Sequence, residues 1–184
     1  MTEAPGVPDE VLVAKVLDGQ PDAFGELARR HQRRVLRIGY GFFRNAEDAA
    51  DFAQDVMIKA YTALATFRGA AKFSTWLTRI AYNTAINEAR RKPRYDPLEV
   101  DPVDARELAP EERHIREETV AALRTAMGDL PQKYAVCLDM YFYLGMKYGE
   151  ISEATGFPVN TIKSHVFRAK RELRAALGAA EVDG

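Results

Sequence analysis

The stretch Tyr148-Gly-Glu-Ile-Ser-Glu-Ala-Thr-Gly156-Phe-Pro-Val-Asn-Thr-Ile-Lys-Ser-His-Val-Phe-Arg-Ala-Lys-Arg171 leaves the chain few folds to choose from. It predicts a short helix, a tight turn at Gly156-Phe157-Pro158 and a longer helix. Glycine accepts the positive φ of a sharp helix end, and proline is tolerated where a new helix begins. In the second helix Ile162, Val166, Ala169, Leu173 and Leu177 recur at helical steps and form one apolar face. Lys163, Ser164, Arg168, Lys170, Arg171 and Arg174 fall opposite. Two helices joined by a Gly-containing turn, the second basic outside, make a helix-turn-helix with a candidate recognition helix. An ordinary helical hairpin with a solvated basic face fits this stretch as well, so the decision rests on the rest of the chain.

At 184 residues there is room for one or two domains, each with a modest core. Hydrophobic residues at 47% and charged residues at 29% give a globular balance rather than a disordered one. The chain has no apolar run long enough for a transmembrane helix. Its acidic, proline-bearing start lacks the basic opening and apolar core of a signal peptide, so a cytoplasmic location and no membrane contact are expected. The single cysteine, Cys137, is expected to be a small buried residue, with a redox switch as the alternative.

A net charge of −1 hides strong segregation. Ala23 to Arg44 holds six arginines against one acid, Glu88 to Arg94 four basic residues against one acid, and Pro158 to Leu177 five against one. Tyr95 to Glu118 reverses the sign, with nine acids and three basic residues. Basic clusters on separate helices suit phosphates or an acidic partner.

In order, residues 1–8 read as a frayed tail and Asp9 to Leu17 as a short helix ended by Asp18-Gly19. Pro21-Asp22 opens a longer helix with Phe24, Leu27, Ala28, His31, Val35, Ile38 and Phe42 on its apolar stripe. His31 on that stripe predicts a packed structural histidine rather than a metal ligand. The arginines opposite form either a solvated face or a contact with an acidic partner. Asn45-Ala-Glu-Asp48 is a helix start, an N-cap residue with acids in the first turn. That helix is expected to reach about Phe67, with Ala49, Phe52, Val56, Ala60 and Leu64 inward and Asp51, Gln54, Asp55 and Lys59 outward.

After Arg68-Gly69, Ser74 is expected to cap a helix running to Arg91 with Leu77, Ile80, Ala81, Thr84 and Ala85 buried. A second stripe, Trp76, Arg79, Asn83, Asn87 and Arg90, combines an aromatic, amides and cations. Aromatic and guanidinium planes stack on unpaired bases, amides read base edges and cations meet phosphates. The simpler reading packs Trp76 in the core and leaves the polar residues wet. Prolines and acids from Tyr95 mark a flexible linker, placed at 95–115. A second helical domain, 116–178, opens with a helix around Glu112 to Met127 bearing Val120, Leu123 and Met127 inward. Leu130-Pro131 begins the next helix, with Cys137, Leu138, Met140 and Phe142 buried. Residues 179–184 form a tail. The fold class is all-α, two helical domains joined by a flexible acidic linker.

No His/Cys cluster has metal-site spacing, no phosphate-cradling or dinucleotide glycine motif occurs, and no paired acids lie in an enclosing pocket. Neither a cofactor nor an enzyme is expected.

Three stretches together resemble the extracytoplasmic-function (ECF, group IV) branch of the sigma-70 family of bacterial RNA polymerase sigma factors. Asn45-Ala-Glu-Asp-Ala-Ala-Asp-Phe-Ala-Gln-Asp55-Val is similar to the helix with which family members grip core polymerase. Phe67-Arg-Gly and Phe73-Ser-Thr-Trp-Leu-Thr-Arg-Ile-Ala-Tyr-Asn83 are similar to the segment that reads and melts the −10 element. Leu130-Pro-Gln-Lys-Tyr134, Glu150-Ile and Pro158-Val-Asn-Thr-Ile-Lys-Ser164 with Arg168-Ala resemble the domain that reads the −35 element.

The resemblance implies that Asp51, Gln54 and Asp55 meet the β′ clamp helices of core polymerase. It assigns Phe67, Phe73, Trp76, Arg79, Asn83, Asn87 and Arg90 to −10 DNA, with Asn83 and the loop Gly69 to Phe73 capturing a flipped base and Trp76 supporting that loop by packing. Asn160, Thr161, Lys163, Ser164, Phe167 and Arg168 would enter the −35 major groove, and Lys170 and Arg171 would meet phosphates. The implied partners are core RNA polymerase, through its clamp helices and β flap, promoter DNA and an anti-sigma factor. In this family the acidic linker threads polymerase channels and mimics nucleic acid. His165 stands where the family usually has arginine, which implies a weaker or pH-dependent −35 contact. Two rivals remain. A stand-alone helix-turn-helix regulator would bind duplex DNA without polymerase, and a helical adaptor would bind polymerase or an anti-sigma factor without supporting transcription.

Overall fold

The computed structural model describes residues 7–89, 122–123 and 125–180. The expected linker, Arg90, Val120 and the outer ends of both tails lie outside them. The chain divides into two compact units, one of Met1–Arg94 with Glu153–Gly156 and one of Tyr95–Ser152 with Phe157–Gly184. Every regular element among the described residues is helical, and none of these helices is long and apolar enough to cross a membrane.

The first unit comprises α1 (Asp9–Leu17), α2 (Asp22–Phe43), α3 (Ala46–Thr62), a single 3₁₀ turn (Leu64–Thr66) and α4 (Phe73–Ala89). α2 packs against the other three helices, and α3 also packs on α4. The turn from α2 to α3 is built locally. Arg44 takes a left-handed conformation at φ 55°, and the Asn45 side chain then accepts from the backbone N–H of Glu47 at 2.8 Å and of Asp48 at 3.2 Å. Leu27, Val35, Ile38, Phe52, Val56, Ala60, Leu64, Leu77 and Ala81 are buried, as the apolar periodicity predicts. Gly39 lets α2 and α3 approach closely, because a Cβ there would lie 2.8 Å from a Phe52 ring carbon and 3.1 Å from the Ala49 Cα.

α1 is held to α2 by polar contacts. Asp9 lies 2.7 Å from His31 Nε2 and 3.1 Å from Arg30, which also donates to the Val7 carbonyl at 2.6 Å. The His31 ring meanwhile packs on Phe73 at 5.3 Å, so it is the structural histidine expected. Of the arginines on α2, Arg29 and Arg30 are both answered by Glu26, whose carboxyl they hold below its ordinary range. Two boundaries differ from expectation. α3 ends at Thr62 and passes into the 3₁₀ turn, and α4 starts one residue before Ser74, its first bonds closing on the Lys72 carbonyl.

The C-terminal part of the chain contains helical residues at 125–129, α5 (Gln132–Phe142), α6 (Tyr148–Thr155) and α7 (Val159–Ala180). α5 packs on α7. The α6–α7 turn has Gly156 at φ 77°, and Ser152 Oγ donates to the Phe157 carbonyl at 2.7 Å across it. Ile162, Val166 and Ala169 are buried, while Leu173 and Leu177 are only half-buried. Leu123 and Met127 are half-buried too, and Ala126 is the buried residue of that stretch. Cys137, Leu138 and Met140 are buried as expected. Phe142 is not: it is the last residue of its helix and 53% exposed.

Candidate nucleic-acid and polymerase interfaces

The outward side of α3 follows from its buried side. Ala49, Phe52, Ala53, Val56 and Ala60 face the core, so Asp51 and Gln54 are exposed and Asp55 half-exposed, its carboxylate 2.5 Å from Lys59 Nζ. One turn further along the same face, Ile58 is 58% exposed. Beyond it Tyr61 is exposed and sets its ring edge-on to Phe24 at 5.0 Å. Amide, carboxylate and apolar groups side by side suit a protein partner, whose contact combines an apolar centre with polar surroundings. Ile58 escaped notice in the sequence. Its spacing of four from Gln54 and three from Asp55 was the available signal.

On α4, Arg79, Asn83 and Asn87 are exposed on one side, with Trp76 half-buried at its start and Phe67 half-buried on the preceding loop. Arg90 lies outside the described residues. Phe73 departs from its expected role. It is 2% exposed and lies beneath the strip, because three rings close on one another there. Phe67 and Trp76 are 5.6 Å apart, Phe67 and Phe73 5.7 Å, and Phe73 and Trp76 5.5 Å. Phe73 is thus the floor on which the two outer aromatics are fixed. The loop between Phe67 and Phe73 bends at Gly69, whose φ of 70° disfavours other residues, and carries Arg68 and Lys72 exposed. These two cations flank the glycine in the sequence and extend the positive character of the strip.

On α7, Asn160, Lys163, Ser164, Phe167, Arg168, Lys170 and Arg171 are exposed, Phe167 at 66%, and Thr161 is half-exposed. Two cations are held by α5. Arg168 Nη1 donates to the Tyr134 hydroxyl at 3.1 Å, and Lys170 Nζ sits 4.6 Å over the Phe142 ring. His165 belongs to the opposite side. It is 9% exposed, between Tyr134 at 5.1 Å and Phe157 at 5.5 Å, with Nδ1 3.6 Å from Cys137 Sγ. The expected His165 contact with DNA is therefore replaced by a core position. Burial lowers its pKa, helped by the charges of Lys133 and Arg168, and burial pushes the Cys137 thiol up to about 11.

The chain is similar to known proteins in both of its halves. Residues 27–95 match the family described as Sigma-70 region 2, and residues 121–173 match Sigma-70, region 4. The chain is 34% identical to RNA polymerase sigma-H factor of Pseudomonas aeruginosa, over 92% of this chain and 93% of that protein. It is also 34% identical to ECF RNA polymerase sigma-E factor of Escherichia coli K12, over 90% and 92%. Two solved structures share the fold. CnrH in complex with the cytosolic domain of CnrY aligns at TM-score 0.70 and 24% identity, covering 93% of this chain and 97% of that one. The sigma factor RpoE in complex with the anti-sigma factor NepR from Bartonella quintana aligns at TM-score 0.70 and 18% identity, covering 84% and 96%. With both regions matched in order and full-length relatives at this identity, the chain belongs to the ECF branch of the sigma-70 family of RNA polymerase sigma factors.

Proposed function

We propose that this chain works as an alternative sigma factor with three separate faces. The outward side of α3, with Asp51, Gln54, Asp55 and Ile58, binds the β′ clamp helices of core polymerase. The α4 strip and its loop capture and open the −10 element, and α7 reads the −35 element from the major groove. The protein contributes positioning and binding energy and catalyses no reaction itself, and it acts in the cytoplasm with polymerase and chromosome. An anti-sigma factor controls it, a reading supported by the complex of the similarly folded RpoE with NepR.

The observation that carries this reading is the exposed Arg79–Asn83–Asn87 side of α4 beside a fixed pair of aromatics, in the same chain as the basic α7. Neither a stand-alone regulator nor an adaptor needs such a strip. The test is transcription in vitro by bacterial core polymerase over a genomic fragment library, with and without the protein. New start sites sharing two upstream motifs are expected. Tight binding to core with no initiation would favour the adaptor, and no binding to core would favour the regulator.

A further inference from the structure

We infer that α5 carries two positioning residues, Tyr134 and Phe142, which hold the cations on the two borders of the recognition helix, Arg168 and Lys170, ready for the phosphate backbones of the −35 duplex. The inference rests on the proposed −35 role of α7.

Successive residues of a helix turn by about 100°. Ala169 is fully buried, so its chain neighbours Arg168 and Lys170 fall on opposite edges of the buried stripe made with Ile162 and Val166. Asn160, Lys163, Ser164, Phe167 and Arg171 occupy the outer side between those edges. A helix laid in the major groove has base edges beneath it and a phosphate strand along each side. The two borders are where cations meet phosphates, so the helix register moves Arg168 from the groove-reading set that the resemblance implies to a border, and Arg171 from the phosphate set to the outer side.

Left alone, exposed Arg and Lys side chains are freely rotating and lose that freedom on binding. Here each is restrained by an aromatic from one end of α5. Tyr134, in the first turn, is 7% exposed and wedged beside His165, so its hydroxyl is a fixed acceptor for Arg168. That bond uses one of the five guanidinium N–H donors and leaves the rest for DNA. Phe142, the last residue of α5, has no core role to explain it, since its ring is 53% exposed, yet Lys170 lies over its face. The exposed ring that contradicted the expected burial thus has an occupation.

The experiment uses the whole protein with core polymerase on a promoter recovered from the fragment library, and on the same promoter truncated so that no duplex reaches upstream to the −35 element. Tyr134→Phe removes only a hydroxyl and Phe142→Leu alters an exposed ring, and thermal unfolding checks that both variants remain folded. Restoring the freedom of one such side chain corresponds to roughly a two- to ten-fold loss. Tyr134→Phe is expected to lower initiation on the intact promoter by that factor, to have no effect on the truncated one, and to add nothing to Arg168→Ala. Phe142→Leu is expected to cost about two- to five-fold, to add nothing to Lys170→Ala, and to be reversed by Phe142→Tyr.

Unchanged or improved initiation by Tyr134→Phe and Phe142→Leu, or losses that persist in the alanine backgrounds, would overturn the inference while leaving the −35 role intact. If Arg168→Ala and Lys170→Ala themselves leave initiation from the intact promoter unchanged, the −35 role of these residues fails and the inference falls with it.

Discussion

At the scale of single residues, the family pattern and the environment disagree most at position 165. The resemblance implies a cation there, but His165 is enclosed by Tyr134, Phe157 and Cys137, with Lys133 and Arg168 as the charges that face it. Its folded pKa is depressed below the ordinary 6.5. The unfolded chain therefore takes up a proton at a higher pH than the folded one. The neutral ring's contribution is complete above that range and lost as pH falls through it. Stability of the second unit should decrease as pH falls below the ordinary 6.5, and His165→Gln should flatten that decrease. Denaturant unfolding at a series of pH values checks this, and identical profiles for both proteins would refute it. Cys137 behaves in the opposite sense, because its thiol is raised from 9.0 to about 11 and its stabilisation fades only as pH rises across that alkaline range. A thiol so buried is a packing residue, as its apolar neighbours in the sequence suggest. The Asn45 cap was legible for a simpler reason: a cap bonds to its own next residues and needs no partner from elsewhere.

At the scale of elements, two features of the α2–α3 pair carry predictions. Gly39 has no left-handed φ to explain it. Its role is to admit the Phe52 ring and the Ala49 backbone, and backbone cannot yield as a flexible side-chain tip can. Gly39→Ala gains helix propensity but overpacks this contact, and a net loss of about 1–3 kcal/mol is expected, read as a lower denaturant midpoint. A neutral or stabilising result would mean that the helices can slide apart at little cost. The outer side of α3 predicts a different phenotype. Ile58 is largely exposed, so Ile58→Asp should leave the fold unchanged within about 0.5 kcal/mol. It should weaken binding to core polymerase about ten-fold or more, as expected for an apolar contact at the middle of an interface. Full affinity in a direct binding measurement would move the polymerase-binding face elsewhere. The inward residues of α3 were legible because all of them follow one helical period. Ile58 was only half legible: its spacing puts it on the Gln54–Asp55 face, but spacing does not say whether an apolar residue there is solvated or kept for a partner.

At the scale of the whole molecule, the two units present different chemistry, and mutations should separate their effects. Asn83 is exposed on the α4 strip, about two turns along the helix from Trp76. Asn83→Ala should therefore reduce promoter opening, followed by permanganate reactivity of unpaired thymines, more than it reduces binding to core. Equal loss of both would remove Asn83 from the −10 reading. The sequence by itself determined the all-α class, the order of the helices, the helix-turn-helix, most of the buried stripes and the family, because each follows from periodicity, capping and motif order along one strand of chain. Only the tertiary structure decided that Phe73 lies under the −10 strip, that His165 turns inward and that Phe142 stays exposed beneath Lys170. Phe73 and Phe142 sit at the ends of their helices, and His165 sits at the border of its helical face. Periodicity fixes a side chain's direction relative to its own helix axis, but whether a border position is covered depends on which neighbouring helix crosses it and what that helix brings.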